Sequence, residues 1–203
     1  MLSIRADQPM PVASAIKAAY LIELFDAFAA ALDHPLPDCE TVLRDSSHPA
    51  TIHLGAARRE TAQQALGQAS VRRLGEAMIT GRGVDNATYN IAANVVTAHF
   101  GGPAGLTARL HARDPRWKGL TVRRYMLANR TENGDNEASA AALASVHGML
   151  AMQTVPGVDS RAISAAREIL SRQDDNRGRM VFFKGGSLNS DPVARVRAGW
   201  REQ

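Results

Sequence analysis

Ser14 and Lys17 stand three residues apart in the run Met10-Pro11-Val12-Ala13-Ser14-Ala15-Ile16-Lys17. A serine hydroxyl attacks a carbonyl only when a base within hydrogen-bond reach takes its proton. Residues three apart on a helix share a face, so the Lys17 amine can reach Ser14. Apolar crowding and a second cation would favour the neutral amine. A helix N-terminus beneath the serine would favour a developing oxyanion. Lysine usage strengthens the pair, because among 24 Lys+Arg residues only Lys17, Lys118 and Lys184 are lysines. Arginine is effectively never deprotonated, whereas a buried lysine can act as a base.

Two further marks could complete a site. Asp85-Asn86 follows the break Gly81-Arg82-Gly83. Asn86 offers both a donor and an acceptor to a substrate amide. Either residue could instead cap the helix that follows, and the roles are compatible. Lys184 closes the apolar run Met180-Val181-Phe182-Phe183. As a charged group it would attract a carboxylate, and Gly185-Gly186 would let a substrate backbone approach closely. The Ser187 amide is a candidate oxyanion donor. The other reading of Lys184 is an edge-strand lysine before a turn. The candidate catalytic residues are thus Ser14, Lys17, Asn86 and Lys184, with Asp85, Gly185, Gly186 and Ser187 as substrate contacts.

The pattern predicts mostly helices to hold these groups. One runs from Val12 to about Leu32 and ends at Asp33-His34-Pro35-Leu36-Pro37. Residues 38–60 are mixed, and a second helix spans about Thr61 to Thr80. A third runs from about Thr88 to Phe100, and Pro103 opens a fourth. Residues 112–136 read mainly as loop, followed by helices over about 138–152 and 159–173. Strands are expected at Ser3-Ile4-Arg5, at Met180–Phe183, and over Val193 to Trp200.

Composition limits the classes of function. The 203 residues fit one domain, and 45% hydrophobic with 22% charged residues is ordinary for a globular protein. A net charge of +4 could suggest nucleic acid, but the arginines are scattered in ones and twos, as on a solvated surface. Cys39 is alone, so neither a disulfide framework nor a thiolate metal cluster is expected. The six histidines lack HxxxH or HxH spacing, so no metal and no cofactor are expected. No stretch is apolar enough to span a membrane, and no charged segment followed by an apolar one marks a secretory signal.

Ser14-Ala15-Ile16-Lys17, Val84-Asp85-Asn86 and Lys184-Gly185-Gly186 follow in order, about 70 and about 100 residues apart. In this the chain resembles the serine β-lactamase and penicillin-binding protein superfamily, particularly its class A β-lactamase-like branch. Gly101-Gly102-Pro103-Ala104-Gly105-Leu106 is similar to that branch's central region, and Gly134-Asp135-Asn136 to the end of its Ω-loop. The resemblance implies an α+β fold, with an all-helical subdomain beside an antiparallel sheet flanked by helices. Its expected extents are about 18–155 for the helical part and about 1–17 with 156–203 for the α/β part. It also implies an acyl-enzyme on Ser14, with Lys17 as base, and β-lactam hydrolysis as the activity. The alternatives are a penicillin-binding D,D-peptidase or esterase, and a non-catalytic binding module. The substrate would be a small β-lactam or a D-Ala-type peptide, and family members usually act outside the cytoplasm.

Three departures qualify the implied chemistry. Val84 stands where the family has a serine that relays a proton to the leaving nitrogen; Thr88, Tyr89 and Ser187 are hydroxyls that could replace it. Gly185 replaces a hydroxyl residue of the third motif. Aligning Asn129 with the Ω-loop asparagine puts Tyr125 where the family has its water-activating glutamate, with Glu132, Asp135 and Glu137 nearby. Only 13 residues precede Ser14 and 17 follow Gly186. An incomplete sheet is therefore expected, from a fragment or a chain completed by a partner such as a second copy.

Overall fold

Two helices with almost no solvent-facing side organise the molecule. α1 (Lys17–Ala27) is buried at every position from Lys17 to Phe25, and α5 (Asn86–His99) at every position from Asn90 to Thr97. A helix that is apolar all round belongs in an interior rather than on a surface. The computed structural model describes residues 5–174, 179–189 and 194–201. Around α1 and α5 pack α2 (Cys39–Arg44), α3 (Ala56–Leu66), α4 (Val71–Thr80), α6 (Gly102–Arg113), α8 (Ala140–Met152) and α9 (Ser160–Leu170). The short α7 (Arg130–Asn133) lies in a loop. Gly75 lets α4 approach α1, since a Cβ there would lie 2.7 Å from the Phe25 ring. Glu23 of α1 is fully buried, and Arg109 and Arg113 of α6 donate to it at 2.6 and 2.8 Å. A buried charge is tolerable only with such pairing.

Two antiparallel sheets complete the α+β architecture expected from the sequence. The small one, β1 (Met10–Pro11), β3 (Glu137–Ala138) and β2 (Leu120–Thr121) in that spatial order, ties the start of the chain to the middle. The larger has the order β4 (Ser171–Asp174), β5 (Arg179–Leu188), β6 (Ala194–Arg201). Lys184 pairs with Ala198 and Gly186 with Val196. α8 and α9 pack against this sheet, where the Phe182 and Trp200 rings stack at 4.6 Å. A 3₁₀ turn, Ala13–Ile16, lies against β5. Among the described residues no helix is long and apolar enough to cross a membrane.

Several boundaries differ from the sequence expectation, each for a local reason. The first helix opens as the 3₁₀ turn and ends at Ala27 instead of Leu32. The Leu32 and His34 carbonyls are taken by the first amides of α4, Arg72 and Val71, at 2.8 and 2.9 Å. The helix expected over 61–80 is two: Ser70 caps α4 by accepting from the Arg73 amide at 3.2 Å. Asp85 starts α5 two residues early, and the 112–136 stretch holds a 3₁₀ turn, β2 and α7. The helix expected to 173 stops at Leu170, because Ser171–Asp174 pairs with β5. β5 runs through the glycine pair to Leu188. Of the expected N-terminal strand, Ser3 and Ile4 lie outside the described residues, as does Val193, and Arg5 has φ 51° rather than a strand value.

Candidate active site

Ser14 sits in the 3₁₀ turn, and Lys17 is the first residue of α1. The turn opens on a strained residue, since Ala13 has φ 48°. Across from it, Gly186 is backed onto the turn so closely that a Cβ would come within 2.6 Å of the Ser14 nitrogen and 2.7 Å of the Ala15 nitrogen. Only glycine fits there, and β5 is thereby held against the serine. Lys17 is fully buried. Its Nζ donates to Asn90 Oδ1 at 3.0 Å and lies 3.3 Å from the Tyr89 ring centroid. Burial holds the Lys17 ammonium well below its ordinary pKa, and the charge of Lys184 adds to this. Lys184 is also buried, with its Nζ 5.0 Å from the same ring centroid. Burial first, and Arg172 second, lower it to about 8, so near neutral pH it is mostly but not fully charged.

A cavity of about 690 Å³ opens at Ser14, lined by Asn86, Tyr89, Asn90, Gly185, Gly186 and Ser187 among others. Its far wall is the loop from Arg124 to Asn136. Asp135 draws this loop together by accepting from Arg124 at 3.0 Å and from Arg130 at 2.6 Å. Burial raises the Asp135 pKa, but the two guanidinium groups outweigh that and the net shift is downward. Asn136 Oδ1 accepts from the Arg123 and Arg124 amides. Asn94 of α5, fully buried, holds the middle of the loop: its Oδ1 accepts from the Met126 amide at 2.6 Å and its Nδ2 donates to the Met126 carbonyl at 3.1 Å. Met126 and Leu127 face the cavity, and Leu127 has φ 67°. Arg195 and Arg197 of β6 stand at the opposite rim.

A serine on the cavity wall, a buried amine one turn later held by an asparagine, and a second lysine across the Tyr89 ring form a constellation suited to acyl transfer. The sequence profile of the Beta-lactamase enzyme family matches residues 1–184. The chain belongs to that family. The fold agrees. The TLA-1 extended-spectrum β-lactamase superposes with a TM-score of 0.71 at 12% identity, covering 98% of this chain and 72% of that one. A β-lactamase from Chitinophaga pinensis gives 0.66 at 14%, covering 98% and 74%. A PBP-A mutant, solved as an acyl-enzyme complex with penicillin G, gives 0.69 at 21%, covering 100% and 71%. No curated protein matches the chain in sequence.

Within this β-lactamase family frame, two of the residues expected from sequence take other positions. Of Val84-Asp85-Asn86, only Asn86 lines the cavity. Val84 packs against the core, and Asp85 is an exposed helix cap whose carboxylate accepts from the Thr88 amide at 2.6 Å. The contacts with Lys17 come from Tyr89 and Asn90, one helical turn further on. Asn86 braces Asn90 through its backbone carbonyl at 2.9 Å. In the loop, Tyr125 does not line the cavity; its hydroxyl lies toward Gly102, and Met126 is the residue presented instead. Glu132 bonds Asn129 and Glu137 pairs with Arg123, so neither serves the cavity. The signal that could have located Asn90 and Asn94 is their spacing: two asparagines four apart on an otherwise apolar helix share a face.

Proposed function

We propose that this β-lactamase-family protein is a serine hydrolase acylated on Ser14 by a β-lactam or a D-Ala-type peptide. The observation that carries the reading is the buried Lys17 amine one turn after Ser14, held by Asn90, packed on the ring of Tyr89 and disfavoured as an ammonium. Neutral Lys17 takes the hydroxyl proton as Ser14 Oγ bonds to the carbonyl carbon. The Ser14 and Ser187 amides are the donors proposed for the oxyanion, with Gly186 bringing the two segments together. Asn86 and Asn90 offer amides to orient the substrate. Lys184 with Arg195 and Arg197 draws in its anionic group.

Met126 favours a second reading, that of a penicillin-binding D,D-peptidase or esterase whose acyl-enzyme is slow to hydrolyse. Among the described residues the one carboxylate lining the cavity, Asp135, is committed to two arginines, and the loop presents a thioether where a base would activate water. The PBP-A mutant of the same fold was captured with penicillin G attached, which fits a long-lived adduct. A labelled penicillin and a chromogenic cephalosporin, tested on wild type and Ser14→Ala, separate these possibilities. Turnover lost in the variant supports a β-lactamase, and a stable Ser14-dependent adduct supports the penicillin-binding reading. No adduct with any lactam or ester leaves a non-catalytic binding module.

A further inference from the structure

The acylation proposed above leaves one proton unplaced. When the C–N bond of a lactam breaks, the departing nitrogen must be protonated, and Val84 packs into the core where it can donate nothing. We infer that Tyr89 is the proton relay of this site, its hydroxyl delivering a proton to the leaving nitrogen; the inference rests on the acyl-enzyme reading. Thr88 is buried and does not line the cavity. Ser187 lines it but is exposed at the outer part of β5, opposite Arg195. Tyr89 both lines the cavity and stands among the reacting groups, with its ring under the Lys17 amine at 3.3 Å and within 5.0 Å of Lys184. Its hydroxyl interacts with the Ser14 side chain, which opposes the upward pKa shift that burial imposes. The two lysines supply positive charge beside a phenol that must briefly give up its proton.

The proton count closes. Ser14 Oγ–H loses its proton to neutral Lys17, Oγ bonds to the carbonyl carbon, and the carbonyl oxygen becomes an oxyanion. Collapse of that intermediate expels the nitrogen, which takes the Tyr89 proton. The tyrosine oxygen then recovers the proton carried by Lys17. One proton has moved from serine to leaving nitrogen, and both Lys17 and Tyr89 end as they began.

The test compares leaving groups. Tyr89→Phe keeps the ring and its packing and removes only the hydroxyl. Acylation of Ser14 by a fluorescent penicillin, whose nitrogen needs a proton, is expected to slow by about 100-fold. Acylation by a thioester, whose thiolate leaves unprotonated, is expected to change less than about threefold, because it needs no general acid. Thr88→Val, which removes a hydroxyl outside the cavity, should leave both rates as they are. Equal slowing with both reagents would show that Tyr89 positions Lys17 rather than relaying protons, and no slowing with either would also overturn the relay. If wild type forms no Ser14-dependent adduct with either reagent, the acyl-enzyme reading fails and the relay with it. That outcome is read on a different protein from the other two.

Discussion

At the scale of single residues the site depends on two amines in one apolar setting, shifted to different extents. Lys17 has no solvent contact and lies near a second cation, so its neutral form is favoured and it suits the role of base. Lys184 reaches only about 8, which leaves it mostly charged at neutral pH. The charge expected of Lys184 from the sequence is thus made dependent on pH, since burial and Arg172 bring its titration into an accessible range. The sign follows from the direction of the shift. The ammonium attracts a carboxylate below pH 8 and is lost above it. Binding of an anionic penicillin to Ser14→Ala, which cannot react, should weaken roughly tenfold between pH 7 and pH 9, as a single charge titrates away. A neutral ester should bind equally at both values. Equal weakening of both ligands would mean that Lys184 is not what recognises the anion.

At the scale of elements, the loop from Arg124 to Asn136 is fixed at Met126 through that residue's backbone and elsewhere by the side chains of Arg124, Arg130, Asp135 and Asn136. Asn94 holds the backbone of Met126 on both sides, and Asp135 and Asn136 clamp the ends. Residue 126 can therefore change without moving the loop. Met126→Glu would place a carboxylate on the cavity wall where water must be activated, and release of the penicilloyl group should quicken by tenfold or more. Deacylation followed by loss of the labelled adduct reads this directly. An unchanged adduct lifetime, with acylation intact, would show that something other than the missing base limits turnover. Met126 is buried, so a glutamate there is expected to cost stability on the order of 1–3 kcal/mol, and unfolding of the variant is followed alongside its deacylation.

At the scale of the whole molecule the larger sheet depends on what lies beneath it. His147 of α8 is buried, its ring 5.8 Å from that of Trp200 on β6, and neither ring nitrogen has a partner in the described structure. Burial lowers its pKa from 6.5 to about 4. The unfolded chain therefore binds a proton more readily than the folded one between those values. Stability is fully present above pH 6.5 and is lost as pH falls toward 4, by up to about 3 kcal/mol from this residue. Denaturant unfolding across that range should show the loss in wild type and a much flatter profile in His147→Leu. Parallel profiles would exclude His147 as the source.

Much of the catalytic end of the site was legible because its signals are local. Ser14 and Lys17 are three residues apart, and Lys184 ends an apolar run just before Gly186, the glycine that the tight contact with Ser14 demands. The second motif was legible only in part: Asn86 lines the cavity, but the contacts with Lys17 come one turn later. Asp85-Asn86 carries the chemistry of a helix start, and Asp85 spends its carboxylate there, whereas Tyr89 and Asn90 reach Lys17 only through packing. Met126 gave no sign at all, since a methionine in a loop declares nothing until Asn94 holds it against the cavity. The buried faces of α1 and α5 were equally hidden, because a helix enclosed on all sides has no apolar stripe to read. The sequence alone thus determined the family and the α+β class, and it marked Ser14 and Lys17 as the proposed nucleophile and base. Tertiary structure alone decided which side chains meet across 70 and more residues, because such meetings depend on how helices pack and not on any spacing along the chain.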